Sequence, residues 1–365
     1  MKIQEIIEAL EAYAPPVYQE SYDNAGLLTG DANQVCTGVL CTLDCTQKVM
    51  EEARAKNCNL VVAHHPVIFG GLKKITGKND VERTVIASIR EGIAIYAIHT
   101  NLDNLYNGVS RKMAEVLGLK DCRVLQPKKG LLVKLFTYVP QDSLEKVRQA
   151  MFEAGAGKIG NYSQCSFGME GTGTFKAEPG ADPYIGEVGK LSVEKEVKLE
   201  VILPAHISTK VIAAMTAAHP YEEVAYDLVY LDNENEQVGS GITGRLEKPV
   251  SEAAFLKQIK EKFNLSLIRH TPLLQRAVQT VALCGGAGSF LIDRALAAGV
   301  DMYITSDVKY HEFFQADEKM VIADIGHWES EQYTTDLLAD IIRAKFPTFA
   351  VLKSEVQTNP VHYFS

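Results

Sequence analysis

The 365-residue sequence has few cysteines, and they follow no pattern. No Cys-x-x-Cys occurs, and the cysteines are scattered and odd in number, at positions 36, 41, 45, 58, 122, 165 and 284. This arrangement argues against a disulfide framework. We interpret the cysteines as reduced core residues of a cytoplasmic protein.

A long apolar run and an excess of positive charge are also missing. No run approaches the length that spans a bilayer. Residues Met1 to Leu10 mix apolar residues at helical spacing with acids, which predicts an amphipathic surface helix and not a secretory signal. The net charge of −9 argues against a nucleic-acid-binding surface, because neutralising phosphates requires clustered Lys and Arg. We therefore expect a cytoplasmic protein that binds neither membranes nor nucleic acid.

What is present is the pattern of an α/β protein. The length predicts two or three domains, and 46% hydrophobic residues are enough for a sizeable core. In the first third, apolar strands such as Leu60 to Ala63 and Ile93 to Ile98 alternate with helical patterns such as Thr46 to Lys56 and Val81 to Glu91. This alternation predicts βαβ units and mostly parallel sheets.

The last third repeats the alternation. It predicts strands at Val278 to Cys284, Met302 to Thr305 and Lys319 to Ala323, with a turn from Gly285 to Ser289 after the first of them. One long helix is expected from Trp328 to Lys345. The two outer thirds together predict a two-lobed α/β core of sandwich type.

The middle of the chain has a different order of elements. It shows a βαβ pattern, a Gly/Pro-rich stretch from Glu178 to Gly189, and a second βαβ pattern. That order predicts a ferredoxin-like split βαβ unit of α+β type inserted into the core. The predicted division is residues 1–128 for lobe 1, 129–240 for the insert and 241–365 for lobe 2.

Histidines and acids follow the ends of several predicted strands. His64 and His65 follow the strand Leu60 to Ala63, and both can face one site only if the chain leaves the strand there, which Pro66 favours. His99 and Asp103 follow the next strand in the same way. Each group has an ordinary alternative, since one histidine of a pair is often a packed core residue and Asp103 could form a local turn.

His327 and Glu331 lie four residues apart at the start of a predicted helix, on one face of its first turn. An i,i+4 pair is a familiar way to bind a metal, although a helix cap or a surface ion pair is the alternative. In doubly wound sheets, ligands bind beyond the carboxyl ends of the strands. The combined prediction is one site with five metal ligands: His64, His65, Asp103, His327 and Glu331.

This ligand set is too large for one structural zinc, which is satisfied by four. Five mixed nitrogen and oxygen ligands, with two carboxylates that can bridge, suit two divalent ions about 3.5–4 Å apart. Zinc, iron or manganese would fit such a set. Two such ions would activate a bridging water for hydrolysis.

Two further clusters follow predicted strands. The segment Gly285 to Ser289 either presents backbone N–H groups to a phosphate or allows close packing of a strand and a helix. Asp307, Lys309 and His311 either transfer protons and contact phosphate, or pair with one another.

Several of these segments together carry a resemblance. They are Tyr22-Asp23-Asn24-Ala25-Gly26-Leu27, His64-His65-Pro66, His99-Thr100-Asn101-Leu102-Asp103, Ser306-Asp307-Val308-Lys309-Tyr310-His311 and Gly326-His327-Trp328-Glu329-Ser330-Glu331. In this order they resemble the GTP cyclohydrolase I type 2 homologues, also called the Ngg-interacting-factor-three-like family. The segment His219-Pro220-Tyr221-Glu222-Glu223-Val224 is similar to the inserted PII-like domain of the longer bacterial members.

The resemblance implies a dinuclear metal centre between two α/β lobes, with the same five ligands, and a toroidal homohexamer. It also implies attack of metal-activated water on the guanine ring of GTP. One departure is Tyr22, where many members have Trp beside the Asp-Asn pair, but this position is outside the ligand set.

Three functional hypotheses remain open. The first is a metal-dependent hydrolase acting on GTP or a related nucleotide, with His99 or His311 as the proton shuttle. The second is a dimetal phosphoesterase acting on another small substrate. The third is a non-enzymatic metal-binding or interaction protein. The ligand set and the resemblance favour the first.

Overall fold

A computed structural model describes residues 1–364. They divide into two compact units: Met1–Pro127 together with the chain from Glu236 onward, and Lys128–Asn235. The three-part division predicted from the sequence, with borders at 128 and 240, stays a prediction. No helix within residues 1–364 is long and apolar enough to cross a membrane.

The first part of the first unit contains these elements: α1 (Ile3–Tyr13), β1 (Gly26–Thr29), β2 (Val39–Thr42), α2 (Gln47–Ala55), β3 (Leu60–Ala63), α3 (Asp80–Glu91), β4 (Ala94–Ala97), α4 (Thr100–Asp103), α5 (Val109–Leu117) and β5 (Lys120–Lys128). The second unit contains β6 (Leu132–Pro140), α6 (Leu144–Glu153), β7 (Ser166–Lys176), β8 (Leu191–Pro204), α7 (Ser208–Ala218) and β9 (Tyr226–Leu231). The chain then forms β10 (Asn235–Ser251), α8 (Glu252–Lys262), β11 (Arg269–His270), β12 (Ala277–Ala287), α9 (Ile292–Ala297), β13 (Met302–Ser306), β14 (Val321–Asp324), α10 (His327–Glu331), α11 (Thr334–Lys345) and β15 (Val351–Lys353).

One lobe of the first unit is built on a mostly parallel sheet, as predicted. The strand order is β1-β4-β3-β2-β15, and only the β1 edge is antiparallel. Every residue of β2, β3 and β4 is buried. One face packs on α1 and α11, and the other packs on α2. Strands covered on both faces read as continuous apolar runs, which is why the sequence reveals them.

The other lobe has a mixed sheet. Its strand order is β11-β14-β13-β12-β10-β5. The three central strands β12, β13 and β14 are parallel, whereas β11 and β10 pair antiparallel with their neighbours. Residues of α5 and α8 cover one face, and residues of α9 cover the other. Parallel strands point their carboxyl ends to the same edge, and this edge carries the candidate site.

The second unit has the order βαββαβ and a four-stranded antiparallel sheet, β7-β8-β6-β9. Val147 and Met151 of α6 and Val211 and Met215 of α7 belong to its apolar core. This element order is that of the ferredoxin-like split βαβ unit.

The long helix expected from Trp328 to Lys345 is two helices, α10 and α11. Near the break, side chains donate hydrogen bonds to backbone carbonyls. The Ser330 hydroxyl donates to the His327 carbonyl, and the Gln332 side-chain amide donates to the Glu329 carbonyl. Ser side chains compete with helical hydrogen bonds in this way. The break leaves α10 as a short helix that carries two candidate ligands.

The turn expected from Gly285 to Ser289 is wrong in its position, because β12 continues to Ala287. Its pairing with β13 is irregular between Leu283 and Ala287.

The strand β10 was missed, because glycines such as Gly239 and Gly241 read as loop. Gly239 instead allows a close approach, since a Cβ there would lie 2.1 Å from the Gln126 carbonyl oxygen.

Candidate metal centre

The two adjacent histidines lie just beyond the end of β3. Their backbone N–H groups donate to the carbonyls of Thr42 and Leu43 at the end of β2, at 3.1 and 2.9 Å. The His64 side chain is fully buried and that of His65 is mostly buried. Their ring centroids are 5.0 Å apart. Both rings therefore face one region, as the metal prediction required.

His99 and Asp103 lie at the two ends of the short helix α4, after β4. The His99 ring centroid is 5.2 Å from that of His64 and 5.4 Å from that of His65. Oδ1 of Asp103 is 3.5 Å from Nε2 of His64. The structure thus places His99 as close to the histidine pair as a ligand would be, although the sequence predicted it as a proton shuttle.

Glu331 is at the centre of the cluster. Its side chain is 3% exposed, and its two carboxylate oxygens lie near three histidines: 3.8 Å from Nε2 of His64, 3.0 Å from Nε2 of His65 and 3.2 Å from Nε2 of His327. His327 is one helical turn away on α10, so the pair shares one face. The structure brings all five predicted ligands together.

Two glycines make room for the Glu331 carboxylate. Gly286 has a φ of +65°, and a Cβ there would lie 2.4 Å from Oε1 of Glu331; a Cβ at Gly285 would lie 3.4 Å from its Cγ. The N–H groups of Gly285 and Gly286 donate to the hydroxyls of Ser110 and Ser330. Because those N–H groups are already bonded, the close-packing interpretation of this segment is favoured over the phosphate-binding one.

An outer partner holds Nδ1 of each histidine in the cluster. The Ile98 carbonyl is 2.8 Å from Nδ1 of His64. In the other three histidines, Nδ1 lies 2.7 Å from a carboxylate oxygen. The pairs are His65–Asp44, His99–Asp23 and His327–Asp307. Metal-binding histidines are characteristically held this way, which fixes the tautomer and leaves Nε2 for the metal.

Several of the inner atoms are buried without a hydrogen-bond partner. They are Nε2 of His64, Nε2 of His65, Oδ1 of Asp103 and Oε2 of Glu331. Some of these atoms are close to one another, but their geometry does not form hydrogen bonds. Unsatisfied buried polar atoms are costly. The chemistry of this donor set fits a bound cation, which would satisfy all four.

The donor atoms fall into three overlapping groups, each with atoms within 4.8 Å of one another. One is His64 with Asp103 and Glu331, the second is His65 with His327 and Glu331, and the third is His64 with His65 and His99. The first two groups share Glu331. These are candidate metal-binding groups of histidine and carboxylate, with no cysteine among them.

The carboxylates dominate the electrostatics of the histidines. Burial lowers the pKa of His65, but Asp44 and Glu331 outweigh it and raise that pKa to about 9. Burial likewise opposes charging of His327, while Asp307 and Glu331 raise its pKa to about 11. Burial would raise the pKa of Glu331, but its histidine neighbours hold it well below the usual value.

The metal-free protein should therefore lose stability as the pH rises. The raised pKa of His65 contributes stability that is fully present below the ordinary value of 6.5 and is lost as the pH rises through about 9. We expect the free energy of unfolding to fall by up to about 3 kcal/mol over this window. Urea titrations of chelator-treated protein at pH 6.5 and pH 9 measure this.

With metal bound, the free energy of unfolding should instead rise with pH. A metal binds only neutral imidazole, so it must displace the protons that the histidines hold at lower pH. The apparent affinity for Zn²⁺ should therefore rise between pH 6.5 and pH 9. Identical stability profiles for metal-free and metal-treated protein would count against a metal at these histidines.

His311 lies outside the cluster. It is exposed on the 3₁₀ helix Tyr310–Ala316, where its ring contacts those of Tyr310 and Phe314.

The outer partner that sequence reasoning missed is Asp44. Its position just after β2, at the same sheet edge, was the available signal.

Among residues 1–364, two of the cavities differ in character. One of about 460 Å³ includes His65, His327, Arg269 and Trp328 in its lining, so it opens onto the candidate centre. The other, of about 740 Å³, lies within the second unit and contains none of the predicted site residues. We take the smaller one as the access route, because the ligand-type side chains line it.

The fold and site define an α/β protein with a candidate metal-binding centre of histidines and carboxylates at the carboxyl ends of its parallel strands. The chain belongs to the Duf34/NIF3 (NGG1p interacting factor 3) family, whose model matches residues 1–360. Proteins named GTP cyclohydrolase 1 type 2 homolog are similar over nearly the whole length. That of Halalkalibacterium halodurans is 39% identical over 98% of this chain and 97% of its own, and that of Bacillus subtilis is 37% identical over 98% and 97%.

A solved structure agrees with this membership. The Bacillus cereus protein related to NIF3 is 36% identical, with a TM-score of 0.89, and the match covers 100% of this chain and 99% of that chain. The sequence-based resemblance to this family is thereby confirmed.

Proposed function

We propose that this chain binds two divalent metal ions around Glu331 and acts as a metal-dependent hydrolase on a nucleotide. The observation that carries the proposal is the pair of donor groups that share Glu331. Four of their inner atoms, on His64, His65, Asp103 and Glu331, are buried without a hydrogen-bond partner. His64 and Asp103 would hold one ion, and His65 and His327 the other, with Glu331 common to both. When bound, such ions act as Lewis acids and lower the pKa of a coordinated water.

The residues around the donors bind, orient and carry protons. Asp44 and Asp307 orient His65 and His327 through their Nδ1 atoms. His99 is bound to Asp23 through Nδ1, which leaves Nε2 to hold or release a proton beside the two groups. We therefore propose His99 as the proton carrier rather than His311, which is exposed and outside the cluster.

The substrate class rests on the cavity and on the relatives. A cavity of about 460 Å³ that His65 and His327 line is in the size range of small-molecule sites. The relatives' name, GTP cyclohydrolase 1 type 2 homolog, makes GTP the first substrate to test. We also propose zinc, iron or manganese as the metals, in agreement with the donor types.

The test combines metal analysis with identification of products from GTP. The native protein loaded with zinc, manganese or iron should release formate or a ring-opened product. His64→Ala should lose both metal and turnover. Phosphate release without ring opening would replace the proposal with a phosphoesterase, and bound metal without turnover would favour a metal-binding protein.

The two histidine candidates for proton transfer can be separated by paired variants. We expect His99→Ala to lower the rate of turnover by about 100-fold or more, since positioned acid–base groups contribute on that order. His311→Ala should retain the native rate, because its exposed ring contacts none of the donors. The reverse order of effects, at equal metal content, would assign the role to His311.

We further propose a three-part chain, with residues 129–240 as a PII-like domain, and a toroidal homohexamer located in the cytoplasm. The ferredoxin-like order of the second unit and the family membership support this. Light scattering should give six times the subunit mass of 40.1 kDa.

A further inference from the structure

The C-terminal segment after β15, residues 354–363, lies against the candidate metal centre. The Ser354 N–H donates to the Cys41 carbonyl at 2.8 Å, and the Asn359 side-chain amide donates to Glu329 Oε1 at 2.9 Å. Asn359, Pro360, Val361 and Tyr363 form one wall of the cavity that opens onto His65 and His327. The segment is thus hydrogen-bonded to β2 at its first residue and to α10 near its middle.

Thr358 connects this segment to a candidate ligand. Its hydroxyl donates to Oδ2 of Asp44 at 2.6 Å, and Oδ1 of the same carboxylate is 2.7 Å from Nδ1 of His65. The indole N–H of Trp328 donates to the Thr358 oxygen at 3.1 Å. Because the indole can only donate, it occupies a lone pair of the hydroxyl and directs the hydroxyl proton to Asp44.

The two partners of Thr358 come from different lobes of the first unit. Asp44 follows β2 of one sheet, whereas Trp328 lies on α10, after β14 of the other sheet. Trp328 is also the direct neighbour of His327. One hydroxyl therefore joins the outer partner of His65 to the helix that carries His327 and Glu331.

We propose that Thr358 is a positioning residue for His65 and that the C-terminal segment is part of the metal centre. Thr358 holds the Asp44 carboxylate in the orientation that fixes the His65 ring and directs its Nε2 to the metal. This inference rests on the proposed function, since it requires that His65 binds a metal. Outer partners of metal ligands affect affinity by about 10- to 100-fold.

The test compares Thr358→Val and Thr358→Ser. Valine keeps the shape but leaves Asp44 and Trp328 without their common partner, whereas serine keeps the hydroxyl. We expect the zinc dissociation constant, measured by competition with a fluorescent chelator, to rise about tenfold in Thr358→Val. Thr358→Ser should stay within about twofold of the native value, because the bond to Asp44 is retained.

Thr280→Val is a matched control. The Thr280 hydroxyl also donates to a carboxylate, Asp301 Oδ2 at 2.7 Å, but that carboxylate is bonded to no histidine of the cluster. Thr280→Val should bind zinc like the native protein. Urea unfolding of each metal-free variant separates lost affinity from lost stability, since a purely structural role would lower stability and leave the affinity of folded protein unchanged.

The outcomes distinguish the inference from the proposed function. Native affinity in Thr358→Val would overturn the inference alone, as would equal losses in the serine and valine variants. A native protein that binds no zinc would overturn the proposed function and the inference with it. A tenfold loss that serine restores and Thr280→Val does not reproduce would support the inference.

Discussion

Glu331→Gln should remove most bound metal from the protein. The carboxylate oxygens of Glu331 are within 3.0–3.8 Å of Nε2 atoms on three histidines, and both proposed ion positions use them. Glutamine keeps the size but loses the charge and turns amide protons toward the donors. We expect the zinc dissociation constant to rise by more than the roughly 100-fold that loss of an outer partner can cost, with fewer than one ion retained per subunit.

Glu252→Gln provides the control for this change. Glu252 is also a buried carboxylate, 4% exposed, and it accepts the N–H groups of Leu274 and Gln275 at 3.1 and 3.0 Å. It is in the same unit but in none of the donor groups. This variant should lose stability and retain its metal. Full metal content in Glu331→Gln would contradict the proposed ligand set.

Gly286→Ala should also disrupt the centre, by a steric clash and not by a change of charge. Its Cβ would lie 2.4 Å from Oε1 of Glu331 and 3.4 Å from Nε2 of His327, in a backbone conformation with φ of +65°. Strain in that region costs about 1–3 kcal/mol, and the carboxylate must move as well. We expect a lower free energy of unfolding and a zinc affinity reduced by at least about tenfold.

Gly299→Ala separates the backbone strain at positive φ from the steric contact with Glu331. Gly299 has the same φ of +65°, but a Cβ there would meet no atom within 4 Å. The Gly299→Ala variant should lose free energy of unfolding through backbone strain and keep the native metal affinity. If the two alanine variants lose the same stability and both bind zinc normally, the space at Gly286 has no role in holding Glu331.

The candidate donors could be predicted because each follows a buried strand. β3 and β4 are fully buried runs, so their ends, and hence His64, His65 and Asp103, were readable from apolar pattern alone. His327 and Glu331 belong to the other lobe. The strand-end pattern had already placed them in the same predicted site, because the buried strand β14 precedes them, and the family resemblance added that this site lies between two lobes.

Asp44 and Asp307 closely follow strands of the two sheets, but which histidine each outer partner holds could not be predicted, because those pairings depend on long-range contacts. Asp44 is 21 residues from His65, Asp23 is 76 residues from His99, and Thr358 is 314 residues from Asp44. No periodicity relates such positions. The extent of β12 was missed for a related reason: Gly286 reads as a turn former, yet it serves to admit a carboxylate from α10.

The most direct test of the account is anomalous diffraction from crystals of the native protein loaded with zinc or manganese. The account predicts two peaks per subunit about 3.5–4 Å apart, one beside His64 and Asp103 and one beside His65 and His327, with Glu331 between them. A single peak, or metal bound away from Glu331, would contradict it.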